Sequence, residues 1–163
     1  MRKLGARLQA VADLVRGDII ADIGSDHAYL PAWLAQNNRI KKAYAIDVSA
    51  KCVERMKANL ARLNIGRDIV EPVLCDGLPE LEGLTDIIIA GMGGESIAGI
   101  LSGIVARGVP QLENINFILQ PNSKKDALLA YMAANGFKLL QELRVDEKRR
   151  YYYILRVGYA YIF

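Results

Sequence analysis

Five times along this chain a short apolar run ends at or just before an acid, an amide or a glycine, and four of the five give way to a stretch patterned as a helix. The runs are Asp18–Gly24, Ala43–Asp47, Ile69–Leu74, Asp86–Ala90 and Asn116–Gln120, the last closed by Pro121. Nearly continuous β-branched runs are what strands buried on both faces require. Their alternation with helices predicts a mostly parallel sheet layered between helices. The opening helix is expected from Leu4 to Val15, with Leu8 and Val11 on the same stripe. A second covers Tyr29–Gln36, where Pro31 is tolerated only because it lies in the first turn. Val53, Met56, Leu60 and Leu63 mark a third stripe, with Lys51, Arg55, Lys57 and Arg62 largely off it. Ile97, Ile100, Leu101, Ile104 and Val105 mark a fourth, and Ser123-x-x-Asp126 reads as a capping-box start for a helix ending near Asn135-Gly136. Two strands, Lys138–Val145 and Tyr151–Val157, flank the charged turn Asp146-Glu147-Lys148-Arg149-Arg150 and predict a C-terminal antiparallel hairpin. The expected class is therefore α/β, a mostly parallel twisted sheet closed by that hairpin.

At 163 residues, with no internal repeat or linker, residues 1–163 read as one domain. The apolar share of 52% and charged share of 24% are those of a globular chain. No apolar run approaches the ~18 residues of a membrane span. The basic start Met1–Arg7 is followed by neither an uninterrupted apolar segment nor a cleavage site, so it does not read as a signal peptide. Cys52 and Cys75 have no metal spacing and the chain holds 1 histidine, His27, so no metal is expected. Free thiols point to a reducing, cytoplasmic setting. A net charge of +3 permits a polyanionic partner without requiring one.

In open α/β sheets the ligand lies outside the carboxyl ends of the strands. Those ends read Asp22-Ile23-Gly24-Ser25-Asp26-His27, Asp47-Val48, Asp76-Gly77, Ala90-Gly91-Met92-Gly93-Gly94 and Gln120-Pro121-Asn122. Gly24 allows a sharp turn and close approach of a ligand. Asp47 follows Asp22 at the distance where an acid accepts both ribose hydroxyls of a nucleoside, and Asp76 suits an adenine amino group. The pyrophosphate fingerprint is missing, because Asp26 and Tyr29 occupy its second and third glycine positions. An anionic Asp26 is a poor neighbour for a pyrophosphate, which disfavours a dinucleotide. Taken singly, Asp22 and Asp47 are compatible with solvated acids, His27 with packing or capping, Cys52 and Cys75 with inert thiols, and Met92 with core filling.

Four segments together carry a resemblance. Asp22-Ile23-Gly24-Ser25-Asp26-His27-Ala28-Tyr29-Leu30-Pro31, Cys75-Asp76-Gly77-Leu78, Ile89-Ala90-Gly91-Met92-Gly93-Gly94 and Leu119-Gln120-Pro121-Asn122 resemble, in order, motifs of the bacterial tRNA (adenine-22-N1)-methyltransferases. The similarity runs from about Arg7 to Val157. It implies a Rossmann-like class I methyltransferase fold, S-adenosyl-L-methionine as cofactor and tRNA as partner. By that resemblance Asp22, Gly24, Ser25, Asp26 and His27, with Ala90 and Gly91, line the methionine side of the cofactor, and Arg7 reaches its carboxylate. Asp47 and Val48 take the ribose and adenine edge, and Asp76 with Gly77 the adenine amino group. Met92, Gly93, Gln120 and Asn122 shape the acceptor pocket. Family members carry a helical extension after the final strand where this sequence stops at Tyr161-Ile162-Phe163, which bears on tRNA docking more than on cofactor binding.

N1 of adenine has an in-plane lone pair, so no base is needed before attack, and the product ring is cationic. Catalysis is then expected to be positioning plus acceptors for the developing charge, with Asp26, Gln120 and Asn122 as candidates. Lys41-Lys42, Lys51–Arg62, Lys124-Lys125 and Lys148–Arg150 are the expected RNA-docking clusters. The competing readings are a methyltransferase acting on a small molecule and a non-catalytic RNA-binding module with a vestigial cofactor pocket. A nicotinamide oxidoreductase is third and weak, for want of the phosphate loop.

Overall fold

The structure is a computed structural model that describes residues 3–161; Met1 and Arg2, part of the basic start, lie outside the described residues, as do Ile162 and Phe163. In chain order it runs α1 (Ala6–Asp13), β1 (Ile19–Ile23), α2 (Tyr29–Gln36), β2 (Lys42–Asp47), α3 (Ala50–Arg62), β3 (Val70–Leu74), β4 (Asp86–Gly93), α4 (Gly94–Ala106), a 3-10 turn (Leu112–Asn114), β5 (Asn116–Ser123), α5 (Lys125–Ala134), β6 (Phe137–Glu147) and β7 (Arg150–Tyr159). The sheet has the order β3-β2-β1-β4-β5-β7-β6. The first five strands are parallel, and β7 runs antiparallel to both β5 and β6.

Because successive strand residues face opposite ways, the apolar runs fill two cores. Ile20, Ala43, Ala45, Ile88, Ile118 and Ile154 meet α1, α2 and α3 on one face. Ala21, Ile23, Ile46, Ile87, Ile89, Phe117, Leu119, Leu155 and Val157 meet α4 and α5 on the other. The stripe Val53, Met56 and Leu60 is the buried side of α3, which Ser49 caps by accepting from the Cys52 amide at 3.4 Å.

Several boundaries differ from those expected. β4 continues through Ala90-Gly91-Met92-Gly93, and β5 continues through Pro121 to Ser123. Register shifts between Ala90 and Gly93 loosen this end of the β4–β5 ladder, and the β5–β7 ladder spans only Phe117–Leu119. The missing N–H of Pro121 is therefore tolerated there. Ser123 belongs to the strand rather than to a capping box; Lys124, at φ 55°, takes the N-cap position of α5 without a side-chain cap. Opening-helix residues Leu14 and Val15 close on Val11 and Ala12 through i→i−3 bonds beyond the α-helix itself. The hairpin strands are longer than expected, leaving only Lys148-Arg149 between them.

At the opposite, amino end of the sheet, Asp86 is fully buried and its carboxylate gathers four donors. Oδ1 accepts from the Arg16 amide at 2.9 Å and Asn116 Nδ2 at 2.7 Å; Oδ2 accepts from the Gly17 amide at 2.9 Å and Thr85 Oγ1 at 2.7 Å. These bonds fix the loop before β1 to the starts of β4 and β5. Asp86→Ala leaves the Arg16 and Gly17 amides unpaired and takes one acceptor each from Thr85 and Asn116, which keep the Ile19 and Leu14 carbonyls, and we expect it to lower unfolding free energy by about 3 kcal/mol; urea titration followed by circular dichroism measures the loss.

Candidate functional site

β1 lies between β2 and β4, so the connection leaving β1 through α2 and the one leaving β4 through α4 run over opposite faces and open a crevice at their carboxyl ends. Two cavities occupy it and meet at Gly24. The larger, about 560 Å³, is lined by Gly24, Asp47, Val48, Cys75, Asp76, Gly77 and Met92, and is walled by Ser96, Gly99, Ile100 and Gly103 of α4. The smaller, about 330 Å³, brings together Arg7, Asp22, Gly24, Ser25, Asp26, His27, Ala90 and Gly91. Gln120, Asn122 and Gly93 line neither.

Gly24 has φ 77°, a conformation that permits the turn after β1, and its amide donates to the Ile46 carbonyl at 2.8 Å. A Cβ here would overlap the Met92 methyl group, so the glycine and the Met92 side chain share one wall. Gly77, at φ 81°, faces open space. Gly99 and Gly103 also face open space on the cavity side of α4, which a residue-by-residue reading of strand ends missed. The signal was present as small residues Ser96, Gly99 and Gly103 at helical spacing.

Asp22 is 6% exposed at the end of β1. Burial raises its pKa to about 6 and the Asp47 charge adds to this, while a 2.6 Å hydrogen bond from Ser25 and the charge of Arg7 oppose it. Asp47 accepts from the Ser49 amide at 3.0 Å through Oδ1 and from the Asp26 amide at 3.3 Å through Oδ2. This pins the second strand end to the turn after the first. Asp26, at φ 54°, turns its carboxylate to Arg55 at 2.7 Å and lies 3.7 Å from His27 Nε2. Arg55, which the sequence placed in a basic stretch expected to dock RNA, is thus also a partner of the turn after β1. The His27 ring stacks on Tyr29, centroids 4.9 Å apart.

Beside the smaller cavity runs a directed chain of hydrogen bonds. Arg7 Nη1 donates to Gln120 Oε1 at 2.6 Å, Gln120 Nε2 to Asn122 Oδ1 at 3.0 Å, and Asn122 Nδ2 to the Gly91 carbonyl at 2.9 Å. Gln120 is fully buried while Asn122 is exposed. Gly91 has φ 81°, and a Cβ there would lie 3.7 Å from Arg7 Nη1. The chain therefore ties the opening helix to the irregular end of β4. Gly93 sits at the N-cap of α4, where a Cβ would come within 3.2 Å of Ser123 Oγ, and it packs the helix start against β5. Cys52 and Cys75 are half-buried free thiols, Cys75 on the larger cavity.

The donor set fits a phosphate-free nucleoside cofactor carrying an amino-acid tail. The larger cavity has the size of a small-molecule site and two acids for hydroxyl and amino donors. The smaller one places a buried acid and a guanidinium side by side for an ammonium and a carboxylate. Among the described residues no group of three or more His, Cys, Asp or Glu side chains is placed to hold a metal, and no helix is long and apolar enough to cross a membrane.

Residues 4–155 match the family model described as a methyltransferase domain. The chain is 33% identical over 157 residues to the tRNA (adenine(22)-N(1))-methyltransferase of Bacillus subtilis, covering 94% of this chain and 64% of that protein, just under two thirds of its length. A Streptococcus pneumoniae protein assigned as a tRNA (m1A22) methyltransferase superposes with a TM-score of 0.88 at 33% identity, covering 98% of this chain and 72% of that one. The same protein with S-adenosyl-L-methionine bound gives 0.87 at 32% identity, covering 98% and 75%. With the doubly wound sheet, the cavities at its switch point and these likenesses taken together, the chain belongs to the class I methyltransferase domain family and, within it, to the tRNA (adenine-22-N1)-methyltransferases.

Proposed function

We propose that this chain binds S-adenosyl-L-methionine and methylates N1 of adenine 22 in bacterial tRNA, acting in the cytoplasm. The observation that carries the reading is the meeting of the two cavities at Gly24, with the Met92 wall and the Arg7–Gln120–Asn122 chain beside them. The cofactor supplies an electrophilic methyl group on a sulfonium. Asp47 accepts the ribose hydroxyls and Asp76 the adenine amino group, while Gly77, Gly99 and Gly103 leave room for the base. Asp22 faces the ammonium and Arg7 the carboxylate of the amino-acid tail.

For the acceptor, the residues divide by exposure. Asn122 is exposed and is the group that touches the adenine; Gln120 is buried and acts as a positioning residue by fixing the Asn122 amide. Asp26, drawn to Arg55, contributes to holding the turn after β1 rather than to neutralising the methylated ring. N1 needs no base, so alignment with the sulfonium methyl supplies most of the acceleration. A base-paired target must first be extruded from its stack, at a cost of a few kcal/mol.

The test is transfer of labelled methyl from S-adenosyl-L-methionine to unmodified bacterial tRNA, beside a control tRNA carrying guanine at position 22. Label confined to the adenine-22 tRNA is expected; label in neither, or in both, overturns the reading. Asn122→Ala is expected to lower kcat with little change in cofactor affinity, and full turnover by this variant removes Asn122 from the acceptor site.

Asp22 gives a pH dependence whose sign follows from its pKa. In the free protein the carboxyl is protonated below about pH 6, and a cationic tail binds the ionised form, so binding below that pH must release a proton. Cofactor affinity is expected to weaken about tenfold from pH 7 to pH 5, and Asp22→Asn to bind weakly with this dependence flattened. Calorimetry in two buffers of different ionisation enthalpy measures both the affinity and the proton release.

A further inference from the structure

β7 runs antiparallel to β5, pairing Val157 with Phe117 and Leu155 with Leu119. Its first residues therefore lie at the carboxyl edge of the sheet, the edge that carries the crevice. The topology thus delivers the hairpin tip, Lys148-Arg149-Arg150, beside the end of β5. A third cavity of about 410 Å³ lies at this junction, lined by Asn122 from β5 and by Arg149, Arg150, Tyr151 and Tyr152 from the hairpin. Among the described residues neither Arg149 nor Arg150 makes an ion pair, whereas the neighbouring cations are spoken for: Arg144 faces Asp146 at 3.4 Å and Lys125 faces Glu142 at 3.2 Å.

The aromatic groups are pre-arranged. Tyr151 is 55% exposed, with the Arg144 guanidinium over its ring at 4.3 Å and Tyr153 edge-on at 5.8 Å. Lys125 covers Tyr153 at 3.5 Å, and Arg7 lies 5.6 Å from the centre of the Tyr152 ring. Tyr152 and Arg7 thus link the cavity to the hydrogen-bond chain that ends at Asn122 and Gly91. Unpaired guanidinium groups beside a half-exposed, cation-buttressed tyrosine form the combination that holds unstacked nucleic acid, charge for the phosphate and a ring face for the base.

We infer that this cavity is an RNA subsite for the nucleotide adjoining the methyl acceptor, with its phosphate on Arg149 and Arg150, its base on Tyr151, and Asn122 shared with the acceptor site. The inference rests on the proposed RNA substrate and assigns the strand next to the target to one hairpin. By holding that neighbour, the hairpin offsets the loss of stacking when the target base leaves its helix.

The test measures binding of an unmodified bacterial tRNA transcript to the 163-residue chain by fluorescence anisotropy at several KCl concentrations. The variants are Arg149→Ala/Arg150→Ala, Tyr151→Ala, Tyr151→Phe, and Arg67→Ala/Lys138→Ala, at the opposite edge of the sheet, as a remote charge control. The double arginine variant is expected to make the log affinity against log salt slope shallower by about 1.5 to 2, because two phosphate contacts are lost. It is also expected to weaken binding more than the control. Tyr151→Ala is expected to weaken binding about tenfold, with Tyr151→Phe close to the parent. Calorimetric cofactor affinity, unchanged in all of them, checks that each is folded. An unaltered slope in the arginine variant, an effect no larger than the control's, Tyr151→Phe as weak as Tyr151→Ala, or no tRNA binding by the parent overturns the subsite. If the parent methylates adenine 22 while the hairpin variants bind normally, the subsite falls and the function stands. Hairpin-dependent binding without methylation does the reverse.

Discussion

Divergence of the chain on either side of β1 is the constraint on which the rest of this molecule depends. From β1 the chain crosses through α2 to β2 on one face, whereas β4 leads through α4 to β5 on the other. No helix can cover the carboxyl end of β1 without blocking one of these paths, so a crevice is left there by topology alone. The residues at that end inherit their roles from it. Asp22 is buried because strands flank it on both sides, yet it borders a cavity because nothing caps it. Gly24 must turn the chain within the width of the crevice, which explains both its positive φ and its contact with Met92 on the neighbouring strand.

Polar bonds reinforce the two ends of the sheet differently. At the amino end the four donors on Asp86 close off any space between strands, giving a rigid floor. At the carboxyl end the bonds run between strand termini: Asp26 to Asp47, Ser25 to Asp22, and Arg7 through Gln120 and Asn122 to Gly91. These connect neighbours without filling the space above them. A buried Gln120 whose oxygen and nitrogen are both committed has one amide orientation available, so the exposed Asn122 is presented in one orientation too. Preorganisation of this kind suits a reaction that needs alignment more than proton transfer.

How much of this was legible in the sequence follows from which forces act locally. Strand positions could be read from continuous apolar runs, because burial on both faces leaves a pattern in a few consecutive side chains, and α2 was placed to the residue between two of them with Pro31 in its first turn. Positions of Asp22, Asp47 and Asp76 at strand ends followed from the same pattern. Events decided by distant partners were hidden. That Pro121 continues β5 goes with register shifts in β4, and Ser123 is held in the strand by pairing with Gly93 rather than capping α5. The engagement of Asp26 by Arg55, 29 residues away, left no mark in either segment. Likewise Gly99 and Gly103 of α4 take on a role only from the cavity beside them.

The antiparallel β7 adds a consequence that a purely parallel sheet would not allow. In a parallel sheet every strand enters at the amino edge and leaves at the carboxyl edge, so only the loops after strands reach the ligand. Reversing one strand brings a tight turn to the carboxyl edge, held by ladders on both sides of β7. A two-residue turn between long strands is stiffer than a loop of the length that follows β3, and it carries Lys148, Arg149 and Arg150 at a fixed distance from Asn122. The turn carries only cations, whereas the two cavities gather Asp22, Asp26, Asp47 and Asp76 beside Arg7 and Arg107. Strand direction, rather than side-chain orientation alone, thus separates the basic turn from the acid-rich cavities.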